Sequence, residues 1–192
     1  MLKIGVSVLT LLAAAAVLQA GIIVDQQQLS GPAYMAQFSQ TDLAQSFQQT
    51  NSNIAGAAIE LIVNGFGTPG DIMIGLWSNL PNAGGALLAS GTALSVYQGQ
   101  WAEVSWTPLA IVPDTTYYLV FTSTNNSLGI AGDANNPYPR GQVYANNGYQ
   151  PFPGFDYTFR TYAQTETVPE PASLSLVTGA VAALLALRRR IR

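Results

Sequence analysis

Between Gly21 and about Thr167 the chain alternates short apolar runs with dense turn signals, and that rhythm restricts it to a β-fold. Ile59, Leu61 and Val63 share one face of a period-two run, with Ala58, Glu60 and Ile62 on the other. The turn cluster Gly65-Phe66-Gly67-Thr68-Pro69-Gly70-Asp71 breaks this run before Ile72, Ile74 and Leu76 resume the same period. Strands are expected at 22–28, 43–49, 54–64, 72–76, 86–96, 101–106, 116–124, 127–131, 141–146 and 156–163. Turns fall at Gly31-Pro32, 79–85, 98–100, Pro113-Asp114, 133–139 and 151–154. No window between the two ends keeps a helical period. The expected architecture is all-β, an antiparallel β-sandwich or jelly roll.

Two strands carry face assignments. Ala102, Val104 and Trp106 are expected to point to the core, with Trp101, Glu103 and Ser105 outward or at an edge. Tyr117, Leu119 and Phe121 share a face, and Tyr118 and Val120 make the other face apolar too, as suits a central strand.

Composition removes several chemistries. The chain has no cysteine and no histidine, so thiol catalysis, a histidine relay and a histidine-bearing metal site are excluded. Of seven basic residues, only Arg140 and Arg160 belong to the central stretch. Against them stand nine carboxylates from Asp25 to Glu166, a net charge of −7. A domain so acidic repels phosphate backbones, which argues against nucleic acid as a partner.

Both ends read as processing segments. Lys3 followed by the apolar run Ile4–Leu18 and Gln19-Ala20 has the form of a secretory signal peptide, with cleavage expected after Ala20. An uncleaved anchor helix is the alternative. The domain is then expected over 21–163 and a linker over 164–171. At the other end, Val168-Pro169-Glu170-Pro171 interrupts regular structure, since proline lacks a donor and fixes φ. Ala172–Leu187 follows, a charge-free and mostly apolar run of sixteen residues, or about 24 Å as a helix. It reads as a transmembrane helix slightly short for the bilayer, with arginines snorkelling to make up the difference. Arg188, Arg189, Arg190 and Arg192 fix that end in the cytoplasm, so the domain faces outward. An ordinary tail anchor is the plainer reading.

The order of these three parts resembles the PEP-CTERM sorting signal of Gram-negative bacteria. The likeness covers Val168–Arg192, and the body loosely resembles the β-sandwich ectodomains found before such anchors. It implies processing by a membrane enzyme of the exosortase type, with Pro169, Glu170 and Pro171 as the recognised element. It also implies a surface or extracellular destination and an association with exopolysaccharide and biofilm. A non-catalytic role is expected.

Three further chemistries are open. Trp77, Trp101, Tyr138, Tyr149, Phe152 and Phe155 could stack on sugar rings, with the 133–155 loops as a carbohydrate-binding module; the competing reading packs these rings onto the sandwich. Asp133 and Asn135 offer hard oxygen ligands for a structural calcium, although an acid twelve residues after Asp133 is missing; an Asx-turn explains the same residues. No other cofactor is expected. Glu60 and Glu103 are the glutamates inside expected strands, as a glycan-acting enzyme would need, and each has an outward, solvated reading.

Overall fold

The computed structural model of the protein describes residues 21–62 and 67–165. The expected leader, the Val168–Pro171 motif, the apolar run 172–187 and the arginine tail lie outside these residues. Among the described residues no helix is long and apolar enough to cross a membrane.

Thirteen strands run in chain order: β1 (Ile22–Gln28), β2 (Ala33–Gln37), β3 (Leu43–Gln48), β4 (Asn53–Glu60), β5 (Gly70–Trp77), β6 (Leu87–Val96), β7 (Trp101–Ala110), β8 (Thr116–Ser123), β9 (Gly129–Asp133), β10 (Val143–Ala145), β11 (Gln150–Phe152), β12 (Asp156–Tyr157) and β13 (Phe159–Gln164). They form antiparallel sheets of order β1-β13-β4-β7, β11-β10-β3-β8-β5-β6 and β12-β9-β2. The domain is therefore all-β, and its layering is consistent with a β-sandwich.

Alternation explains the layering. The four-stranded sheet turns Ile54, Ala57, Ile59, Ala102, Val104 and Phe159 inward, and the six-stranded sheet turns Leu43, Phe47, Ile72, Ile74, Leu76, Leu119 and Phe121 toward them. Leu61, Leu128 and Ile130 join this same cluster, so one core serves all three sheets. Burying each such side chain stabilises by roughly 1.5–3 kcal/mol. Gly56 is required where β4 meets β7, since a Cβ there would lie 2.4 Å from the Val104 carbonyl oxygen.

Most expected strands are present, and β8 lies between β3 and β5, as its two apolar faces require. The differences have local causes. In the run expected to reach residue 64, β4 ends at Glu60, Leu61 forms an isolated bridge to Ile130 and donates to the Gln100 carbonyl at 2.9 Å, and residues 63 and 64 lie outside the described residues. The strand expected from 127 begins at Gly129, because the Asn125 side chain accepts from Ser127 N at 3.0 Å and holds a turn. β2 and β11 were not expected. β11 contains Pro151, which a ladder tolerates at the sheet edge where β11 sits. β13 extends to Gln164, one residue past the expected domain end.

Candidate functional site

The interior holds a polar network built mostly from glutamines. Gln45 shares the inward face of β3 with Leu43 and Phe47 and is fully buried. Its amide oxygen accepts from Tyr157 N at 2.8 Å, and its Nε2 donates to Asp156 Oδ1 at 2.9 Å. Asp156 also accepts from Tyr138 N at 3.0 Å, so two donors converge on a group that only accepts. Gln49 works similarly, accepting from Thr161 Oγ1 at 2.7 Å and donating to the Asn53 carbonyl at 3.0 Å.

Asp133 lies opposite Asp156 across the β9–β12 pair. Its carboxylate accepts from the Ser30 hydroxyl, from Asn135 N at 3.0 Å and from Asn135 Nδ2 at 2.7 Å. This is the Asx-turn geometry expected of Asp133 and Asn135, and the Asp133 carboxylate oxygens accept from protein donors. Among the described residues no group of three acidic side chains is placed to hold a metal ion.

The three structural carboxylates respond to pH with opposite signs. The Ser30 hydroxyl chiefly holds Asp133 below the ordinary aspartate value, although burial opposes it. Burial also raises Asp25, but hydrogen bonds from Thr50, Asn51 and Gln26 outweigh it and leave its value lowered. Burial raises Asp156, and the bonds from Gln45 and Tyr138 only partly offset it. Lowered carboxylates contribute stability above their unfolded value of 3.8 that is lost as pH falls through the folded value. Asp156 opposes them, losing stability as pH rises from 3.8 toward its raised folded value. The expected result is that Asp25→Asn flattens the acid limb of a thermal-unfolding profile between about pH 2 and 5. An unchanged acid limb would contradict the assignment.

The loop aromatics expected at a sugar site are dispersed. Tyr138 is a buried core residue rather than a surface one: its ring meets Phe159 edge-on at 5.1 Å, and its hydroxyl donates to Gln26 Oε1 at 3.0 Å. Phe152 and Phe155 stack on each other at 6.1 Å and pack partly against the core. Tyr149 is half-buried in the β10–β11 turn with φ of 53°, a left-handed conformation unusual for a bulky residue. That turn is held by Asp42, which accepts from Gly148 N at 2.7 Å.

Trp101 lies on the outer face of the four-stranded sheet. The Arg160 guanidinium sits 4.1 Å above its ring centroid. Tyr162, beside them, is raised to about 12 by burial, then by the Glu103 carboxylate that accepts its phenol, with Arg160 opposing. In register Glu60 faces Trp101 and Glu103 faces Ala58, so the two glutamates are diagonal neighbours on this face. Trp106 donates its indole N–H to the Ile54 carbonyl at 3.1 Å.

The outer face of the six-stranded sheet gathers aromatics that lie far apart in the sequence. Trp77 on β5 stands opposite Tyr118 on β8, and Tyr118 meets Tyr144 on β10 edge-on at 5.7 Å. All three are half-buried, and Gln142 donates its side-chain amide to the Tyr144 hydroxyl at 2.8 Å. Between them lie small residues. Tyr144 pairs with Ala44, Ala44 with Val120 and Val120 with Gly75. A Cβ on Gly75 would come within 2.9 Å of the Trp77 indole nitrogen, so the ring lies close over the strand. Burial raises the Tyr118 phenol, and Tyr144 beside it adds to the shift. The signal for this strip was the outward set Tyr118 and Tyr144, visible only once β10 pairs with β3.

The domain also closes on its own ends. Gly21 N donates to Thr165 Oγ1 at 2.9 Å, and Thr165 N donates to the Gly21 carbonyl at 2.8 Å. Comparison with protein-family models, curated proteins and solved structures finds no match to this chain.

Proposed function

We propose that the chain is an exported, non-catalytic cell-surface or extracellular-matrix protein. In this reading it is held in the inner membrane by its tail and then released by an exosortase-type enzyme acting at Val168-Pro169-Glu170-Pro171. The observation that carries the reading is where the fold ends. The Gly21–Thr165 pairing ties the first residue after the expected leader cleavage to a residue just before the motif. Only Glu166 and Thr167 separate Thr165 from Val168. Neither processing event would remove a strand of the described domain. The apolar run 172–187 supplies the temporary anchor, and the arginines after it hold that end in the cytoplasm.

The ectodomain in this reading is a sandwich or jelly roll, supported by the single core shared between its sheets. The domain has few charged residues and many amide and hydroxyl side chains, which suits a hydrated polysaccharide matrix. The test is to replace Pro169, Glu170 and Pro171 together by alanine in producing cells. The full tail should then remain on the protein and the protein in the membrane fraction, as read by intact mass. Normal tail removal in this variant would overturn the reading.

A further inference from the structure

We propose that the outer face of the six-stranded sheet binds a neutral polysaccharide chain through Trp77, Tyr118 and Tyr144. The three side chains rise from β5, β8 and β10, with β3 between the last two. At about 4.8 Å between neighbouring strands, the strip extends roughly 14 Å across the sheet. The strip is elongated rather than a pocket for one small molecule, with the Tyr144 ring turned 65° to that of Tyr118. A pyranose ring offers apolar C–H faces and equatorial hydroxyls. Aromatic side chains receive the former, and a few oriented polar groups beside them receive the latter.

Polar support comes from the strand beneath: Gln142 orients the Tyr144 hydroxyl, and the buried Ser46 hydroxyl accepts from Gln142 N at 2.9 Å and fixes that segment. Gln48, on the same face as Ala44 and Ser46, is half-buried and held by Thr116 and Arg140. Ala44 and Gly75 carry too little side chain to stand between the rings, and exposed Leu87, opposite Trp77, adds apolar surface at that end.

Charge selects the ligand class. Arg140, beside Gln48, is engaged by an ion pair with Asp114. Asp42, near the Tyr144 end, is bonded to Gly148 N. One cation and two carboxylates flank the strip, within a domain that is acidic as a whole. Such a surface repels an acidic glycan and leaves a neutral one unopposed.

This site deepens the matrix-protein reading by naming a ligand class, but it stands on the sheet and not on the tail. Failure of glycan binding leaves the sorting reading intact, and failure of tail processing leaves this site intact.

The test is native affinity electrophoresis of the full chain in mild detergent. Gels contain hydroxyethylcellulose or soluble starch as neutral polymers and polygalacturonate as the acidic one. Retardation by at least one neutral polymer and none by polygalacturonate is expected. Trp77→Ala and Tyr144→Ala should each weaken retardation several-fold, whereas Trp101→Ala, on the other sheet, should leave it unchanged. Trp77→Phe keeps a ring over Gly75 and guards against misfolding. It should retain the wild-type melting profile and part of the retardation. No retardation by either neutral polymer, equal retardation by polygalacturonate, or unchanged retardation in folded Trp77→Ala and Tyr144→Ala proteins would overturn the proposal.

Discussion

Gln45→Leu is expected to remove about 3–5 kcal/mol of stability, because each buried group orphaned by the change carries roughly 1–3 kcal/mol. Leucine fits the apolar company of Leu43 and Phe47 and is close in volume, so packing is not the main loss. Two bonds are. Tyr157 N loses the acceptor it reaches at 2.8 Å, and Asp156 loses the donor at 2.9 Å that helps to hold its charge in the interior. Asp156 is fully buried, and burial already raises its carboxyl. Domains of this size hold about 5–15 kcal/mol in total, so the variant would stand near the edge of folding. Gln48→Leu is the comparison: Gln48 is half-buried and faces outward, and its loss should cost less than about 1 kcal/mol. The measurement is urea unfolding, with a lower midpoint at an unchanged slope for Gln45→Leu. Equal midpoints for the two variants would show that the buried amide network does not organise the strands around it.

Phe159→Ala should be as damaging for the opposite reason, with an expected loss of about 3–5 kcal/mol from a fully buried aromatic. Phe159 is fully buried and pairs with Ile59 on β4, so its ring cannot be replaced by a neighbour moving in. It also supports Tyr138, whose ring stands edge-on against it at 5.1 Å. Tyr138 ties its own loop to two strands, donating to Gln26 Oε1 at 3.0 Å and accepting from Gln48 N at 3.2 Å. Loss of Phe159 should therefore lower amide protection at Tyr138 and Gln48 as well as the unfolding midpoint. Phe155→Ala, at a half-buried ring on the flank of the core, should cost about 1 kcal/mol and leave those amides protected. Loss of protection in Phe155→Ala alone would reverse the roles assigned to the two rings.

Much of the fold was legible because β-strands announce themselves by alternation. The inward sets Leu119 with Phe121 and Ile72 with Ile74 and Leu76 follow directly from period two, and the expected outward set Trp101, Glu103 and Ser105 faces away from the core. β2 was hidden because Ala33–Gln37 has no clear apolar face, and β11 because a proline sits within three residues. Gln45 illustrates a subtler limit. Its place between Leu43 and Phe47 puts it on an inward face, but only the pairing of distant segments supplies Tyr157 and Asp156 as partners. The same limit applied to the aromatics. The sequence offered loops 133–155 because they are rich in rings, yet Tyr138 turns into the core. Tyr118 and Tyr144 lie 26 positions apart and meet only through β3. Asp133 and Asn135 were legible as either ligands or an Asx-turn, and the bond from Asn135 N to Asp133 Oδ1 at 3.0 Å is the local geometry of such a turn.

The most direct measurement of the protein's role is the intact mass of the chain recovered from the surface or medium of producing cells. The expected species begins at Gly21 and ends at or near Val168–Pro171, having lost both flanking segments. A recovered chain that still carries Ala172–Arg192 would contradict the reading of the protein as released cargo.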